Sequence, residues 1–134
     1  MKISLHLEKA EAFERSLEKL NPIEDTELFV VFLMRACTNR LNAALHALDF
    51  TTDAPVNSGR IGDLNHTYKP KLDTPPPSEL QSAFENLSYI EELRADFVRG
   101  PKLLAADEVV KCRAAHAESK RRTSLIFERI ARTA

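Results

Sequence analysis

The strongest constraint on this chain is that apolar residues recur at intervals of three and four in four separate stretches. That period matches the α-helix and not the two-residue alternation of a half-buried strand. In the first stretch Ile3, Leu7, Ala10, Phe13, Leu17 and Leu20 form one stripe, which predicts a helix from about Ser4 to Leu20. Asn21-Pro22 ends it, because the residue before a proline disfavours helical geometry. Glycine occurs only three times, too rarely for a chain built on tight hairpins.

The second stretch predicts a helix from Asp25 or Thr26 to Leu48. Its first half, LFVVFLM, is apolar on every side, which marks the most buried helix of a bundle. The segment from Phe50 to Pro77 has no helical period and holds Pro55, Pro70, Pro75, Pro76 and Pro77 with Gly59 and Gly62, so it predicts a long crossover. A third helix should start at Ser78, where Ser78 and Gln81 have capping-box spacing. It carries Leu80, Phe84, Leu87, Ile90, Leu93 and Phe97 and stops at Gly100-Pro101. A fourth should run from about Leu103–Asp107 to Arg132, with a polar middle and an apolar end of Leu125, Ile126 and Phe127. These elements predict one domain over residues 1–134, an all-α four-helix bundle with a long crossover loop between helices two and three.

Charge narrows the functional classes. The chain of 134 residues has a formal net charge of -1, so no general affinity for nucleic acid is advertised. The distribution is uneven: residues 1–27 sum to -3 and residues 111–134 to +5. Pairing of the acidic first helix with the basic last one is the simplest outcome. The longest apolar run, Leu28 to Met34, is too short to span a bilayer, and no secretory signal is visible. The expectation is a cytoplasmic protein without a membrane partner. Cys37 and Cys112 both fall in helical patterns, where buried free thiols are common.

Three groups of residues are candidates for function. Arg35, Asn39, Asn42, His46 and Asp49 follow one another at spacings of four, three, four and three, and so form a polar ladder along helix two. Asparagine is a poor helix former, so two in this ladder point to a purpose beyond solvation. A guanidinium, two amides and an imidazole on one face can hold a phosphate or activate a hydroxyl. The second group is the loop string from Gly62 to Lys71, with His66 and Tyr68 beside glycine, where a small ligand or peptide could lie against the bundle. The third is Lys120, Arg121 and Arg122 on helix four, a candidate phosphate contact.

The string RLNAALH places five residues between Arg40 and His46. In this it resembles the HEPN superfamily, helical bundles that are often dimeric and often metal-independent endoribonucleases. The resemblance implies His46 as general base toward a ribose 2′-hydroxyl and Arg40 as the group that steadies the pentavalent phosphate. The polar residue that usually follows the arginine is replaced by Leu41, and Asn42 comes one place late. Arg60 and His66 show the same spacing in the loop.

No metal-ligand set is legible. Cys112 and His116 form a pair only, as do Asp63 and His66, and His6 and His46 lie far apart in sequence. No cofactor is expected. The leading expectation is a non-enzymatic bundle that acts through protein contacts as a homodimer, with a further protein partner. RNA binding or cleavage of the HEPN kind and ligand binding under the 50–77 loop are the alternatives.

Overall fold

A computed structural model describes residues 1–65, 72 and 74–133. The chain is an all-α four-helix bundle, with no strand among the described residues. Helix α1 spans Ile3–Glu18 and α2 spans Thr26–Ala47. The third member is composite: a 3-10 turn, Ser78–Leu80, leads into α3, Gln81–Glu92, and a further turn, α4, Arg94–Phe97. The last, α5, spans Ala106–Thr133.

Helix α1 ends two residues earlier than its apolar spacing predicts. Asn21 takes over the chain there: its Oδ1 accepts from the backbone N–H of Ile23 and of Glu24, both at 3.0 Å. These bonds satisfy donors at the entry to α2 and make the reversal between the helices tight. The expected capping box at Ser78 does not form. Pro77 precedes the helix without a side-chain cap, and Leu80 N–H donates to Pro77 O at 2.9 Å to close a 3-10 turn instead. Gln81 is turned away and donates to Glu85. The stop at Gly100 is steric. A Cβ there would lie 2.8 Å from the Asp96 carbonyl oxygen and 2.9 Å from that of Ala95.

Helix α2 touches α1, α3, α4 and α5 and is the axis of the core. Phe29, Val30, Leu33, Met34, Cys37, Leu41, Ala44 and Leu45 are all buried along it. Each large side chain among them contributes roughly 1.5–3 kcal/mol by leaving water. By length and composition α2 could cross a membrane, and it is the one described helix that could. Two-thirds of its apolar window is instead covered by the other helices, at 67% buried, as suits the core helix of a bundle. From the opposite side Leu80, Ala83, Leu87 and Ile90 of the composite element pack on it, with Cys112, Ala115 and Ile126 of α5. The apolar end of α5 divides: Ile126 is buried in the domain, whereas Leu125 and Ile130 remain partly exposed.

The seam between α1 and α2 is different in kind. The two deeply buried residues of α1 are His6 and Ala10, with Glu14 one turn further and half-buried. Ala10 lets the helices approach, and the polar residues four positions to either side meet partners on α2. Beyond α2, Asp49 adopts a left-handed conformation with φ 65°. Phe50 N–H reaches back to Leu45 O at 3.0 Å, the bond pattern of a helix that ends in a Schellman turn. The following loop then returns to the bundle: Thr52 N–H donates to Ile61 O at 2.9 Å, and Leu64 is buried in the core.

Candidate metal centre

The return of the loop has a definite anchor. Asn42 of α2 donates from Nδ2 to Leu64 O at 2.7 Å and accepts at Oδ1 from Leu64 N–H at 2.8 Å. One amide thereby satisfies both backbone polar groups of the buried Leu64, which fixes the backbone beside Asp63. That places the Asp63 carboxylate over the α1–α2 seam. Its Oδ1 lies 2.9 Å from His6 Nε2 and 2.8 Å from His46 Nε2. The two imidazole rings are 5.3 Å apart and tilted by 54°. The terminal amine of Met1 lies 3.0 Å from Asp63 Oδ2.

The outer nitrogen of each histidine is held as well. His6 Nδ1 is 2.8 Å from Asn39 Oδ1, and His46 Nδ1 is 2.5 Å from Thr51 Oγ1. Asn39 is oriented by its own bond from Nδ2 to Arg35 O at 2.8 Å, so the atom it offers to His6 is the acceptor. His6 Nδ1 therefore carries the hydrogen, and Nε2 is the nitrogen directed at Asp63. The Thr51 hydroxyl can donate or accept, so it serves His46 in either tautomer. Both rings thus aim Nε2 at one carboxylate oxygen while a second partner fixes the far side.

Electrostatics follow from this packing. Burial lowers the pKa of His46 by disfavouring the imidazolium, against the opposing pull of the Asp63 carboxylate. For Asp63 burial acts upward, but hydrogen bonds from His6, the Met1 amine and His46 outweigh it and hold the carboxyl below its ordinary value. The carboxylate is therefore charged at neutral pH.

His6 Nε2, His46 Nε2 and an Asp63 oxygen all lie within 4.8 Å of one another. Ligand atoms bound at about 2.1 Å stand about 3.0 Å apart in adjacent octahedral positions and about 3.4 Å apart in a tetrahedral site. To admit an ion the distances from Asp63 to the histidines must open from 2.8 and 2.9 Å, and the two histidine nitrogens, within 4.8 Å of each other, must come to the same spacing. Two histidines and one carboxylate are the donor set of open first-row transition-metal sites, and Asn39 and Thr51 are the outer partners such histidines require. On binding, Nε2 of each ring would face the ion without a hydrogen, and the ring hydrogen would sit on Nδ1, toward Asn39 Oδ1 in His6 and Thr51 Oγ1 in His46.

The polar ladder of α2 is split by this arrangement. Asn39, Asn42 and His46 face the centre, and Arg35 lies at the rim of a cavity of about 280 Å³ beside it. Asp49 is away from the centre and pairs with Arg60 at 2.9 Å on the surface. Arg40 and His46 do not meet a common ligand. Arg40 grips Glu14 with two bonds, Nε to Oε2 at 2.7 Å and Nη2 to Oε1 at 2.6 Å. Glu14 also meets His116 of α5 at 2.7 Å, with Lys120 at 3.8 Å. This is where the acidic first helix and the basic last one pair. Arg121 and Arg122 are both engaged by Glu118, at 3.0 and 2.7 Å. His66 and Tyr68 lie outside the described residues.

Sequence spacing missed His6 and Asp63, because each belongs to a different segment from His46. The one local signal was the pair of asparagines at 39 and 42, which buttress the two absent partners. The chain matches no family model, no curated protein and no solved structure.

Proposed function

We propose that this bundle is a divalent-metal protein whose ion is held by His6, His46 and Asp63, with coordination positions left open toward the cavity between α1, α2 and the returning loop. The observation that carries the reading is the convergence of two Nε2 atoms on one carboxylate oxygen, each ring braced from behind. A structural zinc site closes its fourth position with protein, whereas three protein ligands leave room for water or substrate. The ion then polarises whatever occupies that position. This is the ligand-binding expectation for the crossover loop, moved from His66 and Tyr68 to Asp63. A metal-independent nuclease would need Arg40 and His46 on one phosphate, and the Arg40 guanidinium is taken by Glu14.

Titration calorimetry of untagged, chelator-treated protein with Zn²⁺ tests the proposal. One equivalent per chain is expected. At a hundredfold excess over Kd the ion adds about 2.7 kcal/mol of stability. Asp63→Asn, a change on a partly exposed loop residue, should weaken binding at least tenfold while the helical spectrum stays intact. Stoichiometric uptake unchanged by both Asp63→Asn and His46→Gln would place the ion elsewhere, and no uptake would end the reading.

A further inference from the structure

The metal reading leaves two cations unexplained. Lys9, one turn after His6 on α1, and Arg35, one turn before Asn39 on α2, both line the cavity that opens on His6 and Asp63. Both are exposed and neither makes an ion pair with a described residue; among the described residues other exposed cations such as Arg15 and Arg99 are unpaired too, but these two flank the cavity. Asp63 is the one carboxylate among the described lining residues. With a divalent ion in place, the ion, Lys9, Arg35 and the Met1 ammonium bring five positive charges against the single negative charge of Asp63. Such a wall is repulsive until an anion enters, and it is poorly matched by a neutral ligand.

We infer that the ligand of this centre is a phosphate group, bound to the open face of the metal and clamped by Arg35 and Lys9. The inference rests on the metal proposal and extends it to the class of ligand. A dianion neutralises half of the excess charge, and a tetrahedral phosphate can offer one oxygen to the ion and others to the two side chains. The guanidinium of Arg35 supplies paired donors, and the Lys9 ammonium supplies a mobile point charge. A cavity of about 280 Å³ admits the phosphate with a small organic remainder. Asn39 borders the same space but is committed to His6 and the Arg35 carbonyl, so it shapes the wall without binding the anion.

Co²⁺ serves as the probe, because its visible spectrum reports a change of ligand directly. Protein loaded with one equivalent of Co²⁺ is titrated with inorganic phosphate, and separately with acetate at equal ionic strength. Phosphate should shift the spectrum in a saturable way, and acetate should do so at least tenfold more weakly. Arg35→Ala and Lys9→Ala should take up Co²⁺ with unchanged stoichiometry and each lose tenfold or more in phosphate affinity. Co²⁺ uptake with no response to phosphate, or with equal responses to phosphate and acetate, overturns this inference and leaves the metal reading intact. Phosphate affinity that is unchanged in both variants also overturns it. Failure to take up Co²⁺ or Zn²⁺ at all overturns both.

Discussion

Glu14 shows how much one side chain can settle. It sits on α1 between two other helices, with the side chain only 12% exposed. Burial would push its carboxyl up, but hydrogen bonds from Arg40 and His116 outweigh burial and hold it down at about 2, against an ordinary 4.5. Between those two values the unfolded chain takes up a proton that the folded chain refuses. Its contribution is therefore complete above about pH 4.5 and is lost as pH falls toward 2. The size is on the order of 3 kcal/mol. Glu14→Gln removes the same interaction from the other side, because the Arg40 guanidinium, itself 7% exposed, loses its carboxylate. Urea unfolding of the two proteins should differ by about 3 kcal/mol at pH 7, and the gap should close as the pH approaches 2. A gap that stays constant with pH would mean that Glu14 contributes shape and not charge.

At the scale of elements, Asn42 makes two of the bonds that hold the crossover to the bundle. In Asn42→Ala the Leu64 N–H and C=O lose their partners while Leu64 remains a core residue at 3% exposure. Leaving such groups unsatisfied costs about 2 kcal/mol, and the loop escapes that cost by lifting away. Trypsin cleavage after Arg60, which is exposed, should then accelerate by more than the global stability loss explains. Equal cleavage of both proteins under native conditions would show that the Asp63, Thr52–Ile61 and Arg60–Asp49 bonds hold the loop without Asn42. The same contrast explains what could be read from the sequence. The four helices and the core face of α2 follow from apolar spacing, which is local. The seam of α1 does not, because its stripe of Ile3, Leu7, Phe13 and Leu17 is only partly covered while His6 is buried. A histidine at that position has no apolar signature. Its partner Asp63 lies 57 residues away across a segment without period. The asparagines at 39 and 42 were legible as an anomaly of helix propensity, but what they face depends on a loop closure that spacing cannot encode.

Across the whole molecule, two thiols report whether the bundle opens as one unit. Cys37 on α2 and Cys112 on α5 are both fully buried. Burial pushes the Cys37 thiol up to about 12 and the Cys112 thiol up to about 11, so almost no thiolate forms at pH 8. A thiol reagent in excess can react only with molecules that have opened. Helix α5 packs on both α2 and α3 and meets α1 through Glu14 and His116, so it ties the other members of the bundle together. Cys37 and Cys112 should therefore label at one common rate in the native protein, and both at once in denaturant. Where reclosing outpaces labelling, that rate follows the equilibrium population of open molecules. Glu14→Gln, if it costs about 3 kcal/mol, should then speed both thiols by about a hundredfold at pH 8. Fast labelling of Cys112 with Cys37 still protected would show that α5 peels away alone, and the polar contact at Glu14 would be a surface clasp and not a part of the cooperative core.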